Sequence, residues 1–386
     1  MRHELTSMFV ALLVVQLNWV GCGHDPISSS PTARTIVVLS KKRKTDTPRS
    51  VVSGIQLLAK RYAIEPIHTF QYVLNGFAAD LSEEQAVKLR ADPAVAFLEE
   101  DVLGSAAFVQ EKAPWNLDRI DQADLPLDAN YEYPATGKGV TAYVIDSGIR
   151  VTHNEFEGRA GYGVSFVDDV FGSGDCSGHG THIAGILGGK TLGVAKAVLL
   201  VSVRVLDCEG AGRLYYFLKA LDWIAQHAIP PAVVNMSIQV RPSDALDQAV
   251  RKIIDLGIPV VVAAGNDAAD ACQYSPGRIP EALTVGATNV RNDRWLLSNQ
   301  GSCVDIFAPG SDILSSWNTS DKATEMLDGT SMASPHVAGA VAILLEQYPN
   351  ATVDEVNHRL IDGSTRDRIG QLDSSNSPNR LLHVGQ

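Results

Sequence analysis

No hydrophobic run in this chain makes a convincing membrane span. The apolar stretch from Met8 to Val20 falls short of the roughly 20 residues a crossing helix needs, and with Arg2 ahead of it the pattern is that of an export signal. Positive charge is also short. Lys and Arg number 32 against 44 Asp and Glu, and the net charge of −12 argues against a nucleic-acid polyanion as partner and fits cation binding. Cysteine is scarce, at five, and no CxxC or cysteine–histidine spacing supports zinc. The 32 glycines and 18 prolines are no fibrous or disordered excess; with 45% hydrophobic residues they read as ordinary globular α/β. A chain of 386 residues is long for one domain and comfortable for two.

Three stretches stand out against that background. Gly329-Thr330-Ser331-Met332-Ala333-Ser334-Pro335-His336 precedes a run, Val337 to Leu345, that is apolar on every side and so predicts a buried helix. Ser331 is placed to cap it, with Pro335 in the first turn, where a missing N–H costs little. A hydroxyl at such a terminus sits where negative charge is favoured. Val140 to Ile145 predicts a strand ending on Asp146-Ser147-Gly148. Gly178-His179-Gly180-Thr181-His182 opens a second helix, whose small residues permit close backbone packing. Taken singly, these are a cap serine, a turn aspartate, and histidines that are metal ligands or polar surface.

Together, Asp146, His179 and Ser331 follow the chain order of the subtilisin triad. In these motifs the chain resembles the subtilisin family of serine endopeptidases, in the proteinase K-like branch that includes aqualysin. The likeness runs from about Pro114 to about Leu382. It implies Ser331 as nucleophile, His179 as general base and Asp146 as its orienting carboxylate. Asn266, after Val261-Val262-Ala263-Ala264-Gly265, would supply the oxyanion amide beside the Ser331 N–H. A raised pH should favour activity, since His179 must be neutral and a free histidine titrates near about 6.5.

The order of elements agrees with a doubly covered, mostly parallel sheet. Strands are expected at Val198–Leu206, Ala232–Ile238, Pro259–Ala264 and Leu283–Ala287, with helices at Leu214–His227 and Ser243–Asp255 between them. The fold class is α/β, preceded by a small α+β domain. Residues 1–22 are the signal. Gly21-Cys22-Gly23 resembles a lipoprotein site with Trp19 where leucine is usual, leaving Cys22 either lipidated or incidental to a plain cleavable signal. Residues 23–33 are a Ser- and Pro-rich linker.

Residues 34–107 read as a compact unit. Strands are expected at Thr35–Leu39, Ile67–Val73, Phe77–Leu81 and Ala94–Glu99, a helix at Val51–Tyr62, and a hairpin turn at Asn75-Gly76. Ser82-Glu83-Glu84-Gln85 is a capping box. Asn75-Gly76-Phe77-Ala78-Ala79, Asp92-Pro93-Ala94-Val95 and Glu99-Glu100-Asp101 resemble the family's inhibitor propeptide. That resemblance implies a folding template and intramolecular inhibitor, cut off near Ala107 and Phe108. Residues 108–386 would then be the catalytic domain, a secreted or cell-envelope monomer. Were Cys22 lipidated, the anchor would lie on the propeptide side of the cut.

The resemblance also assigns cations and disulfides. Asp118, Asp121, Gln122, Asp128 and Asn130 match a calcium loop of some relatives, and irregularly spaced oxygens suit calcium. A second ion would be held by Asp305 and the carbonyls of Pro280 and Ala282. Asp168, Asp169 and Asp175 read as acidic surface rather than a third site. With Cys22 in the signal, four cysteines allow three pairings; the family pattern selects Cys176–Cys208 and Cys272–Cys303. Ile183 stands where proteinase K has a free thiol.

Peptide substrates would add as a strand between Gly210-Ala211-Gly212 and Ser237-Ile238-Gln239, with Ala263 to Gly265 walling a roomy pocket for apolar or aromatic side chains. Gln239, Val240 and Arg241 depart from the family's glycine-rich run. Two other classes compete: an inactive relative acting as a binding module, against which the intact motifs argue, and an α/β-hydrolase esterase, which needs the order Ser, acid, His.

Overall fold

The computed structural model describes residues 32–40, 48–101, 108–372 and 376–385. The signal, Cys22, nearly all of the linker and Ala107 lie outside them. The chain divides into two compact units, Met1–Leu103 and Gly104–Gln386.

The first unit runs β1 (Thr32–Leu39), α1 (Pro48–Arg61), β2 (His68–Phe70), β3 (Gly76–Ser82), α2 (Glu83–Arg90) and β4 (Val95–Glu100). Its antiparallel sheet has the order β2-β3-β1-β4. Val37, Ile55, Leu58, Phe77 and Leu89 fill the core between sheet and helices. Ser82 accepts from Gln85 N while the Gln85 side chain accepts from Ser82 N, so the capping box forms as its sequence dictates. The expected tight hairpin does not form. Residues 71–75 make a longer connection, and Gly76 pairs with Val38 inside the sheet. A Cβ on Gly76 would lie 2.2 Å from the Val37 carbonyl oxygen, so glycine serves close strand approach there rather than a turn.

The second unit begins with β5 (Phe108–Glu111), α3 (Trp115–Asp118) and β6 (Asn130–Tyr133). It continues with β7 (Thr141–Asp146), β8 (Ala160–Ser165), α4 (His179–Gly188), β9 (Leu199–Arg204), α5 (Leu214–His227), β10 (Ala232–Met236) and α6 (Asp244–Asp255). Then come β11 (Val260–Ala263), β12 (Leu283–Thr288), β13 (Ile306–Pro309), β14 (Ile313–Ser316), β15 (Thr324–Leu327), α7 (Thr330–Gln347), α8 (Val353–Asp362), β16 (Thr365–Arg366) and β17 (Arg380–Leu381). Nine strands form one sheet, β16-β17-β13-β12-β11-β10-β7-β9-β8, parallel except for the β16–β17 pair. The period of two along the strands sorts their residues to two faces. Ala142 and Val144 of β7 join α4 and α7 in one core, while Tyr143 and Ile145 join α5 and α6 in the other. Both faces are covered, which is why the strands are apolar throughout. Neighbouring β7, β10 and β11 end at one edge of the sheet, and the residues after them build the site.

Candidate active site

Asp146 closes β7 and is fully buried. Its Oδ1 accepts from Ser147 N at 2.7 Å and faces Nδ1 of His179 at 2.8 Å. His179 is the first residue of α4. The helix can bring it there because the next residue is glycine: a Cβ on Gly180 would lie 2.1 Å from the Gly148 oxygen. Burial pulls the His179 pKa down, but the Asp146 carboxylate and the charge of Asp175 outweigh it and hold the ring above the ordinary histidine value. His182, one turn on, is buried with Nε2 against the Ile313 and Glu325 carbonyls, each at 3.1 Å, and burial drops its pKa to about 4. It is a neutral core residue, not surface.

Asp175 is not acidic surface. One oxygen accepts from Ser147 Oγ and from the N–H groups of Ser177 and Gly178; the other accepts from Thr181 N and Oγ1. It thus caps α4 and, through Ser147, which also accepts from Gly180 N, ties that helix to the end of β7. Asp169 is equally committed: Arg204, fully buried, donates two bonds of 2.6 Å to it beside the Cys176–Cys208 disulfide. Cys272 is bonded to Cys303.

Gly329 is the cap position of α7 and Thr330 its first residue, so Ser331 lies inside the first turn rather than capping it. Pro335 accordingly falls in the second turn, where it leaves the Ser331 carbonyl without its helical donor. Ser237, just past β10, fills the gap: its hydroxyl donates to Ser331 O at 3.0 Å and meets Ser334 Oγ at 2.8 Å. The Ser331 hydroxyl donates to Ser237 O at 3.4 Å. No bond joins it to His179 among the described residues; such contacts often tighten only with substrate in place.

Asn266 follows β11. Its Oδ1 accepts from Thr330 N at 2.9 Å and from Thr330 Oγ1 at 2.8 Å, while Thr330 Oγ1 accepts from Gly265 N at 3.0 Å. The carbonyl end of the amide is thereby fixed and the NH2 end left to project. Thr330 escaped the sequence reading; its place beside Ser331 was the only signal.

Ser237, Ile238 and Gln239 follow β10, and Ala263 to Gly265 close β11, so these two segments are neighbours. Gly210 sits at positive φ in the Asp207–Ala211 turn. Arg241 is exposed.

Of the calcium candidates, Asp118 accepts from the N–H groups of Asp128 and Ala129, Asp121 from Glu132 N, and Asp128 from Asn130 N. Gln122 donates to the carbonyls of Asp124 and Pro126. Burial pushes Asp121 up to about 7, helped by Asp118 and Asp128, and its Oδ1 is buried without a partner among the described residues. An uncompensated acidic oxygen of this kind suits a cation. Asp305, also pushed to about 7 by burial, lines a 430 Å³ cleft together with Pro280 and Ala282. Both donor sets fit a hard, oxygen-bound ion.

A doubly covered parallel sheet carrying aspartate, histidine and serine in that chain order defines the subtilisin-type serine endopeptidase. Residues 137–381 match the subtilase family model and residues 35–104 that of peptidase inhibitor I9. The chain belongs to the subtilase family. It is 49% identical over 311 residues to an extracellular serine proteinase of Thermus sp. strain Rt41A, covering 81% of this chain and 76% of that one. It is 44% identical to alkaline serine exoprotease A of Vibrio alginolyticus, covering 86% of this chain and 62% of that one. A solved cold-adapted subtilisin-like serine proteinase superposes with a TM-score of 0.69 at 46% identity, over 71% of this chain and 99% of the other.

Proposed function

We propose that Ser331, His179 and Asp146 hydrolyse peptide bonds through an acyl-enzyme in an exported, self-processing zymogen. The observation that carries this is the 2.8 Å contact of His179 Nδ1 with buried Asp146, which leaves Nε2 as the ring's proton acceptor. His179 takes the Ser331 proton as Oγ attacks the carbonyl carbon. The oxyanion is held by Asn266 Nδ2 and Ser331 N–H, which has no protein acceptor among the described residues. His179⁺ gives its proton to the leaving amine, the C–N bond breaks, and water then repeats the sequence to release the acid and free Ser331. Asp146 stabilises the imidazolium throughout.

Substrates are proteins and peptides, bound beside Ser237–Gln239 and Gly210, with an apolar side chain before the cut against Ala263–Gly265. The I9 unit acts as intramolecular inhibitor and is removed near Ala107 and Phe108. Extracellular relatives support export of this chain. Calcium is structural: Asp118, Asp121, Gln122, Asp128 and Asn130 would hold one ion, Asp305 with the Pro280 and Ala282 carbonyls another, and neither takes part in the chemistry.

Intact mass after export tests the reading. Wild type should lose the segment up to about Ala107 while Ser331→Ala stays uncut, and the mass of the released piece reports any lipid on Cys22. Two full-length proteins, with no peptide hydrolysis in calcium, would instead favour an inactive binding module.

A further inference from the structure

We infer that Gln239 is the specificity-determining residue of the primary pocket, a strap that reserves it for small apolar side chains and shuts out aromatic ones. This rests on Ser331 as nucleophile and on Ser237–Gln239 and Ala263–Gly265 as the pocket walls.

Strands β10 and β11 are parallel neighbours, with Met236 paired to Val262. Beyond their carboxyl ends the two chains part, and such a gap is where an α/β sheet takes its ligand. The Ser331 hydroxyl donates to the Ser237 carbonyl, so the nucleophile stands at the mouth of this gap. The Gln239 side chain crosses it. Its Oε1 accepts from Asn266 N–H at 3.2 Å, and its Nε2 donates to the Asp267 carboxylate. A Cβ built on Gly265 would lie only 1.8 Å from Gln239 Oε1. The amide therefore rests directly on the glycine that forms the opposite wall, in the space an incoming side chain would use.

Tethered at one end to a backbone donor and at the other to a charge, the amide is not a free surface side chain. A phenyl ring can enter only by breaking both bonds and leaving the Asn266 N–H and the Asp267 carboxylate to find water. A methyl group asks far less of that space than a ring does. Because Gln239 also steadies the Asn266 backbone, its removal will lower turnover for every substrate; the ratio between substrates isolates the pocket effect.

The test is kcat/KM for peptides identical except for Ala, Leu or Phe before the cut. They are assayed with wild type, Gln239→Gly and Asp267→Ala, each as the self-processed enzyme in calcium. The Phe-to-Ala ratio should rise about tenfold or more in Gln239→Gly, the scale on which an apolar pocket discriminates size. It should rise less in Asp267→Ala, which frees only one tether. Should Gln239→Gly fail to fold, Asp267→Ala alone decides the direction. An unchanged ratio in enzymes that still process themselves overturns the strap. If Ser331→Ala processes and cleaves as wild type does, the nucleophile assignment falls, and the pocket with it.

Discussion

At the residue scale, the proposed role of His179 as general base ties activity to its ionisation. Asp146 is in direct contact with the ring and the charge of Asp175 also acts on it, with neutral His182 on the next turn. Both carboxylates favour the imidazolium, so the folded pKa lies above the ordinary value of about 6.5. The base is needed neutral. Activity is therefore lost as pH falls through this raised pKa and recovers above it. The acid limb of kcat/KM should lie above that of a free histidine. In Asp175→Asn the limb should move to lower pH, because one of the charges that holds the proton is gone. The midpoint is independent of how much enzyme folds, which matters because asparagine cannot accept all the bonds Asp175 accepts. A midpoint that stays put would show that Asp175 only builds the helix terminus. This carboxylate was visible in the sequence as one acid among three; its role was not, since Ser147 and Thr181 lie on either side of it in the chain.

At the scale of elements the site is a junction between the end of β11 and the start of α7. Thr330 Oγ1 joins them, accepting from Gly265 N and donating to Asn266 Oδ1. Thr330→Val keeps shape, helix and the backbone N–H bond to Asn266 Oδ1 but removes the hydroxyl bond that helps aim the amide. Losing an oxyanion amide outright costs subtilisin about 10²–10³ in turnover, and one orienting hydrogen bond is worth about 1 kcal/mol. Turnover should fall about tenfold with KM little changed; an equal rise in KM alone would place Thr330 in substrate binding instead. Element existence was legible. Helix α5 falls at Leu214–His227 as its pattern predicts, and Ser243 caps α6. The edges were less legible. Strands β9, β10 and β11 stop short of their expected ends while β1, β3 and β12 run past theirs, and the start of α7 at Thr330 follows from tertiary bonds to Asn266 that no local pattern encodes.

At the scale of the molecule, the two disulfides add to what the hydrophobic cores supply. Bridges at separations of 32 and 31 residues each restrict the unfolded chain, by about 3 kcal/mol in the loop-entropy account. The buried carboxylates Asp121 and Asp305 oppose folding when ionised and uncompensated. Calcium at saturating concentration should add about 3 kcal/mol, and chelation should lower Tm of the processed enzyme by roughly 5–10 °C. Asp305→Asn should blunt that response. A Tm indifferent to both chelator and calcium would show that protons and backbone N–H groups suffice at these sites.

What the sequence alone determined is whatever depends on neighbours in the chain. Continuous apolar strands separated by helices set the covered parallel sheet, the capping box fixed α2, and three motifs in order marked Asp146, His179 and Ser331 as candidates. What only the tertiary structure decided depends on residues far apart in sequence being brought to one sheet edge. Asn75-Gly76 reads as a turn until Val37 is found against it. Gln239 reads only as a departure from a glycine-rich run until Gly265 and Asp267 are found across the gap. Local propensity chooses elements, but the space between them, and hence which side chain a pocket admits, is set by packing that no single stretch contains.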